Sequence, residues 1–293
     1  MHTPYINGVD KSAAATVNIV DSIHGPRRSI PRAPPVLPDS VFEMFDMHGK
    51  VVVITGGTGG IGYEIARAMA EAGASVALFY HQNSQADTLA ANITRDYGMT
   101  CRAYQCTVES WQAVSTTISR VKVDFGRLDV MIANAGIPSK ASGLDDTLDG
   151  WHRALGVNLT GAYHCARAAG TIFREQGHGN MIFTSSMSAH AVNYPQQQAS
   201  YNAAKAAVSQ LSKSFAVEWA DFARVNTVSP GYVDDRMNDN CPFEMKEAWY
   251  ALTPLRRLAK PAEFKAVYLY LASDASTYTT GADIIVDGGY TCR

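Results

Sequence analysis

From Lys50 onward, short apolar runs alternate with longer segments whose apolar residues recur at helical spacing. Several runs are almost continuously hydrophobic, as expected for parallel strands that are covered on both faces. The segments between them are long enough to form crossover helices. The pattern predicts an α/β fold in one domain, a doubly wound parallel sheet of about seven strands with helices on both faces. The predicted strands are residues 51–54, 75–79, 102–104, 128–132, 181–184, 225–228 and 284–286.

The first predicted helix follows a glycine-rich turn, residues 55–62, with the sequence TGGTGGIG. Ile61, Ile65 and Met69 recur at helical spacing, and Gly73 follows as a stop signal. A strand, a glycine turn, a helix and a second strand form the Rossmann-type βαβ unit that binds dinucleotides. We expect the glycines to allow a tight turn with positive φ, a close approach to phosphates and close helix packing. The amide groups at the start of this helix would face the pyrophosphate.

Composition narrows the classes of function. A net charge of -2 does not attract the negatively charged backbone of a nucleic acid. No apolar run is long enough to cross a bilayer. The five cysteines, Cys101, Cys106, Cys165, Cys241 and Cys292, are scattered and form no Cys-x-x-Cys motif. They indicate a reducing, cytoplasmic compartment and neither a disulfide framework nor a metal site.

Residues 1–44 differ from the rest of the chain because prolines and arginines cluster there. No basic flank precedes an apolar core, so a secretory signal is not expected. We predict that residues 1–44 are a partly extended or disordered arm, which could pack on a neighbouring subunit, and that residues 45–293 form one domain.

Tyr201 and Lys205 form the second candidate for chemistry. Four residues apart on a helix, they would share a face. A free tyrosine titrates near pH ~10, and a neighbouring ammonium together with an oxidised nicotinamide would lower its pKa. Such a tyrosine can donate a proton to a carbonyl oxygen or take one from an alcohol. A Tyr-x-x-x-Lys pair alone is not specific, so the prediction depends on its place after the glycine turn.

The order of the motifs resembles the short-chain dehydrogenase/reductase family over about residues 45–293. The glycine spacing is Gly-x-x-x-Gly-x-Gly, and five further features follow in the family's order. They are the Ala-Asn-Ala-Gly of residues 133–136, Asn158, the serine pair 185–186, Tyr201 with Lys205, and Pro230 with Gly231; residues 286–289 also match.

The resemblance implies roles for individual residues. Tyr201 would be the acid, Ser186 would hold the substrate oxygen, and Asn158 would bind a water that leads to Lys205. Lys205 would also bind the nicotinamide ribose. The cofactor would contact Gly56, Thr58, Gly60, Ile61, Gly62, His81, Asn83, Val108, Asn134, Ala135, Gly136, Tyr201, Lys205, Pro230, Gly231, Val233 and Asp235.

Two serines compete for the substrate oxygen. In many relatives the serine lies thirteen residues before the tyrosine, which would select Ser188. The second serine after the strand is the family position, however, and this selects Ser186 if the loop 193–198 is about two residues longer than usual. We predict Ser186.

The end of the second strand bears on the choice between NADP and NAD. No carboxylate occurs from Leu78 to Ser84, so a 2′-phosphate would meet no repulsion, and His81 or Asn83 could donate to it. The sequence therefore favours NADP(H) over NAD(H). Two positions depart from the family: residues 106–108 lack the usual Asp near the adenine, and Asp235 replaces a Thr near the carboxamide.

Residues 184–196, 222–232 and 274–283 resemble a fungal branch of the family that contains mannitol 2-dehydrogenases, sorbose reductases and secondary-alcohol carbonyl reductases. This implies reduction of a ketone or ketose, or oxidation of a polyol. Reduction of an aromatic or polyketide ketone, a non-redox dehydratase or epimerase, and a non-catalytic NADP-binding regulator stay open as alternatives. The substrate wall is expected within residues 237–253, which include Phe243, Met245, Trp249 and Tyr250.

Self-association is also predicted. The helices that carry Asn158 and Tyr201 have apolar residues beyond their expected sheet-facing side: Ala162, Tyr163, Ala166, Phe215, Val217 and Trp219. These favour one two-fold contact, and the C-terminal residues 287–293 favour a second. Two different two-folds generate a homotetramer, and a dimer through the helices alone is the alternative.

Overall fold

The computed structural model describes residues 34–139, 141–235, 237–239 and 241–292. Most of the predicted N-terminal arm, residues 1–33, lies outside the described residues. The arm and its boundary at residue 44 therefore stay predictions.

Seven parallel strands form one sheet in the order β3-β2-β1-β4-β5-β6-β7, which confirms the predicted doubly wound fold. The chain moves outward in one direction from β1 to β3 and then returns to place β4 beside β1. The strands are β1 Val51–Thr55, β2 Ser75–Tyr80, β3 Cys101–Gln105, β4 Val130–Ala133, β5 Asn180–Thr184, β6 Arg224–Pro230 and β7 Asp283–Val286.

The helices cover both faces of the sheet. They are α1 Gly60–Glu71, α2 Ala86–Tyr97, α3 Trp111–Phe125, α4 Leu148–Leu155, α5 Gly161–Gln176, α6 Ala199–Glu218, α7 Phe243–Leu252 and α8 Lys265–Ala272. Within β1, Val51 and Val53 pack with α3, α5 and α6, whereas Val52 and Ile54 pack with α1, α2 and α8. Alternate side chains of a strand point to opposite faces, so a strand buried on both sides, such as β1, is largely apolar on both faces.

Most predicted strands are one to three residues shorter than the observed ones, because apolar runs miss strand residues with polar side chains. The run 128–132 is the exception, since its strand begins only at Val130. Leu128 is buried without being part of the strand, and the buried carboxylate of Asp129 accepts the Val51 N–H at 2.9 Å. The hydrogen-bonded carboxylate of Asp129 thus lies directly before the first residue of β4, within an otherwise apolar run.

Six apolar residues of α5 and α6 were predicted to lie away from the sheet, where a partner subunit could cover them, and for three of them this is wrong. Ala162, Ala166 and Phe215 are buried in the core on their side of the sheet. Tyr163 and Val217 do remain exposed, at 39% and 56%. The sequence pattern could not show that α5 packs against α3 and against the end of α6 as well as on the sheet.

The junction between β1 and β4 places the site. Thr55, the last residue of β1, accepts the N–H groups of Asn134 and Ala135 on Oγ1, each at 2.9 Å. The Asn134 Nδ2 donates to the Thr55 carbonyl at 3.0 Å. The strand order reverses at this point, and ligands of such sheets bind beyond the carboxyl ends of the strands there.

Candidate active site

The glycine turn has the geometry that its sequence predicts. Gly56 has φ +62°, which favours glycine. A Cβ on Gly62 would lie 2.2 Å from the Gly56 carbonyl oxygen and 2.8 Å from the Asn134 Nδ2. Helix α1 therefore begins in direct contact with the turn, with no acidic side chain in its first turn to offset the positive helix end.

A cavity of about 650 Å³ runs from this turn across the carboxyl ends of β1, β2, β4, β5 and β6. It brings together nearly all of the predicted site residues. They are Gly56, Thr58, Gly60, Ile61, Gly62, His81, Asn83, Asn134, Ala135, Gly136, Ser186, Tyr201, Lys205, Pro230, Gly231, Val233 and Asp235.

Val108, predicted to contact the cofactor, does not line this cavity. Its side chain is buried in the core, and a Cβ on Gly161 would lie 2.7 Å from Val108 Cγ2. The Val108 carbonyl oxygen lies 3.0 Å from the Nδ1 of His164 on α5. Its side chain therefore packs between the sheet and α5, and the site prediction is not matched for this residue.

Tyr201 and Lys205 lie one turn apart on α6, with the Lys205 Nζ 5.6 Å from the centre of the Tyr201 ring. Lys205 is buried, and its ammonium donates to the Thr184 carbonyl at 2.8 Å. Loss of hydration lowers the pKa of Lys205 to about 8. The group is therefore still mostly protonated at neutral pH, but it loses its proton more easily than a solvated lysine does.

The low pKa expected for Tyr201 refers to the complex with an oxidised nicotinamide, and the protein groups around the phenol shift its pKa in the opposite direction. Burial raises the pKa of the phenol, and the negative charge of Asp235 raises it further. A hydrogen bond with Ser186 opposes these effects. Because burial outweighs that bond, the phenol is held protonated, the form that can donate a proton.

The structure places the two serines considered for the substrate oxygen differently, with Ser186 at the cavity and Ser188 away from it. The side chain of Ser186 lines the cavity beside Tyr201, whereas Ser188 is buried behind it, with its Oγ 2.9 Å from the Ser186 Oγ. The Ser188 N–H donates to the Ser186 Oγ at 3.1 Å and fixes its position. Ser185 turns its hydroxyl to the Lys205 carbonyl oxygen at 2.8 Å.

Asn158 lies in a π-helical turn, Gly156–Thr160, between α4 and α5. Its Oδ1 accepts the Ile137 N–H at 3.1 Å, and its Nδ2 donates to the Ile137 and Ala154 carbonyls, each at 3.0 Å. A Cβ on Gly136 would lie 2.8 Å from this Oδ1 and 3.5 Å from the Lys205 Nζ. Asn158 therefore lies behind Gly136, on the Lys205 side of the site, although it does not line the cavity.

Asp235, which departs from the family pattern, places a carboxylate in the wall of the cavity. A Cβ on Gly60 would lie 2.8 Å from the Asp235 Cβ and 3.0 Å from its Oδ2, so the carboxylate lies against the glycine turn. Loss of hydration raises the pKa of Asp235, and the neighbouring acids Asp239 and Asp234 raise it further.

The end of β2 forms the far wall of the cavity with Tyr80 and residues 81–84. His81 is exposed and Asn83 is half-buried. The Asn83 Oδ1 accepts the Gln85 N–H at 2.9 Å, which leaves its Nδ2 to face a ligand. No carboxylate lines this wall among the described residues.

The predicted substrate wall, residues 237–253, is matched in part. Met237 and Asn238 line the cavity, whereas the aromatic residues expected there do not. Trp249 is buried and stacks on Tyr232 with ring centres 4.2 Å apart, and Phe243 is exposed. The lining residues that sequence reasoning missed are Gly59, Tyr80, Gln82, Ser84, Thr184 and Ser185, and their only signal was adjacency to motif residues at strand ends.

A family model described as enoyl-(acyl carrier protein) reductase matches residues 56–291. The chain belongs to the short-chain dehydrogenase/reductase family. Within this family of oxidoreductases it is 49% identical over 265 residues to a probable NADP-dependent mannitol dehydrogenase of Yarrowia lipolytica. The aligned region covers 90% of this chain and 95% of that protein. It is 51% identical over 253 residues to a sorbose reductase of Schizosaccharomyces pombe, covering 86% and 99% of the two chains.

Among solved structures of the family, an NADPH-dependent 3-quinuclidinone reductase from Rhodotorula rubra superposes with a TM-score of 0.86 at 46% identity. The match covers 90% of this chain and 99% of that one. In the described parts of the chain, no group of three or more His, Cys, Asp or Glu side chains is arranged to hold a metal ion. Over the same residues, no helix is both long and apolar enough to span a membrane.

Proposed function

We propose that this protein is an NADP(H)-dependent oxidoreductase that reduces the carbonyl group of a ketose or ketone to a secondary alcohol. The observation that carries the proposal is the convergence of Ser186, Tyr201 and Lys205 at one part of a cavity that begins at the glycine turn. A dinucleotide site and a proton donor therefore share one space.

The residues present suit a bound NADP(H). Gly56, Gly60 and Gly62 line the cavity without side chains that would fill the space for the phosphates. The start of α1 offers free amide groups to the pyrophosphate. The end of β2 places no carboxylate where it would repel a 2′-phosphate. When bound, the reduced nicotinamide supplies the hydride. Asn134, Ala135 and Gly136 would line its path from the β4 end, and Pro230, Gly231 and Val233 from the β6 end.

The chain's own residues would manage the substrate oxygen. Ser186 would donate a hydrogen bond to it and hold it beside Tyr201. Tyr201, held protonated by its surroundings, would give its proton to that oxygen as negative charge develops there. Lys205 would reprotonate the tyrosine through a water held near Asn158, since both residues lie within contact of Gly136.

The substrate class is supported by the relatives. Proteins about half identical to this chain are called mannitol dehydrogenase and sorbose reductase, which favours a ketose or polyol. The 3-quinuclidinone reductase, at 46% identity, shows that its fold also serves a compact ketone without hydroxyl groups. We therefore propose a ketose first and a small ketone second.

The experiment is NADPH consumption against a panel of ketoses, small ketones and aromatic ketones, with NADH in parallel. We expect turnover of at least one ketose with NADPH and much slower turnover with NADH. Binding of NADPH without consumption by any member would refute the reductase proposal. Substrate change without consumption would instead indicate a dehydratase or epimerase.

We also propose a homotetramer located in the cytoplasm. The exposed Tyr163 and Val217 lie on α5 and α6, where a two-fold partner could bury them, and Trp111 on α3 lies on the same side of the sheet. The cysteines of the described residues are unpaired, as suits a reducing compartment. Light scattering at micromolar concentration tests the assembly, and a mass of one or two subunits would refute the tetramer.

A further inference from the structure

A chain of hydrogen-bonded polar side chains lies behind the catalytic turn of α6, outside the cavity. Its centre is the carboxylate of Asp283 at the start of β7, whose side chain is only 9% exposed. The Asp283 Oδ1 accepts from the Ser229 Oγ at 2.6 Å. Its Oδ2 accepts from the Ser209 Oγ at 2.8 Å and from the His190 Nε2 at 3.0 Å.

Each donor is joined to an element that carries the site. Ser229 precedes Pro230 at the end of β6, and Ser209 lies one helical turn beyond Lys205. The Ser209 Oγ is 2.9 Å from the Ser185 Oγ, which in turn donates to the Lys205 carbonyl. His190 ends the 3₁₀ turn Met187–Ala189, which begins at Ser186.

A carboxylate this deeply buried needs several donors, because each missing hydrogen bond leaves desolvated charge. His190 is the one donor of the three that comes from the loop after β5, and among the described residues it is the one basic side chain that contacts Asp283. Without it, nothing else in this network ties the end of the Ser186 turn to β7. The Ser186 hydroxyl would then be held by its contacts with Ser188 and by the backbone hydrogen bonds of the turn itself.

We propose that His190 and Asp283 are a positioning pair that fixes the Ser186 turn relative to the Tyr201–Lys205 turn. Neither His190 nor Asp283 lines the cavity. The pair is linked to the elements around the cavity through Ser185, Ser209 and Ser229. The inference rests on the proposed reductase function, because its effect is expressed in the proton-transfer step. A displacement of about 1 Å in such a constellation can cost up to about 100-fold in rate.

The experiment compares His190→Ala, His190→Gln and the control His178→Ala. His178 is a suitable match, since its Nε2 lies 3.2 Å from the buried Asp129 carboxylate, but at the amino ends of β4 and β5, away from the cavity. We expect His190→Ala to lower kcat by about 10- to 100-fold. The NADPH Kd should stay within about twofold of wild type, since the glycine turn is untouched. His190→Gln, whose Nε2 can reach the same oxygen, should recover most of the rate, and His178→Ala should match wild type.

A kcat for His190→Ala within about twofold of wild type would overturn the proposal. So would a glutamine variant as impaired as the alanine variant, or an equal loss in His178→Ala. Amide hydrogen exchange gives a readout that does not need turnover: residues 185–190 should exchange faster in His190→Ala and not in His178→Ala. If wild type turns over no ketone, the proposed function fails, and unchanged exchange would separately refute the positioning pair.

Discussion

Asp235→Asn should tighten the binding of NADPH. The substitution keeps the size of the side chain and removes its charge. The carboxylate Oδ2 lies 3.0 Å from the place of a Cβ on Gly60, and that glycine belongs to the turn expected to hold the pyrophosphate. A negative charge beside a phosphate site opposes the binding of an anionic cofactor.

The size of the effect follows from the distances. A phosphate oxygen bound to an N–H of the turn would lie about 3 Å from that nitrogen, which puts the two charges about 6 Å apart. At that separation Coulomb's law gives about 0.7 to 3 kcal/mol for effective dielectric constants between about 80 and 20. With screening by salt we expect about 1 to 2 kcal/mol, or about 5- to 30-fold in Kd.

The pH dependence has a definite sign. Burial raises the pKa of Asp235, so the folded, cofactor-free protein holds this proton more tightly than the unfolded chain does. The ionised form opposes the cofactor above that pKa, and the opposition is lost as pH falls through it. The wild-type Kd should therefore approach that of Asp235→Asn on acidification. Without cofactor, the variant should also have the larger free energy of unfolding at pH 7.

Isothermal titration calorimetry with NADPH, at two salt concentrations and across pH, measures the effect. Asp234→Asn is the matched control, because Asp234 is the adjacent residue and pairs with Lys260 on the surface. An unchanged or weaker affinity in Asp235→Asn, or an equal gain in Asp234→Asn, would refute the electrostatic reasoning.

Three further substitutions test the site. Tyr201→Phe should abolish NADPH consumption with any ketone while leaving the NADPH Kd nearly unchanged, and more than a few per cent of residual activity would exclude Tyr201 as the acid. Ser186→Ala should lower kcat by about 10² to 10³, the scale of a lost oxyanion donor, and Ser188→Ala by much less; the reverse order would favour Ser188. Gly62→Ala would place a Cβ 2.2 Å from the Gly56 carbonyl oxygen, so it should lower both thermal stability and NADPH affinity. Gly143→Ala, whose Cβ would meet its nearest neighbour at 3.7 Å, is its control, and equal melting temperatures would contradict the packing argument.

The sequence was sufficient for what depends on local pattern and motif order. Apolar runs marked all seven strands, because strands covered on both faces are largely apolar. The register of β5 led to the choice of Ser186, which lines the cavity, and its role as the oxyanion donor stays a prediction. Contacts between distant segments were not accessible in this way. Nothing near Val108 indicates that it packs on Gly161, and nothing near Asp235 indicates that its charge lies against Gly60. The effect of burial on the pKa of Tyr201 was also not accessible, since burial is a property of the whole fold.

The π-helical turn at Gly156–Thr160 shows how the chain holds one extra residue between α4 and α5. An α-helix advances the side chains by about 100° per residue, and a π-helix advances them by less, because its hydrogen bonds close one residue further along the chain. The widened turn therefore takes up a residue without rotating the face of α5 that holds Cys165, Ala169 and Phe173 in the core. Deleting one residue here would leave that face against the sheet, but it would remove the widened turn that places Asn158 against Ile137.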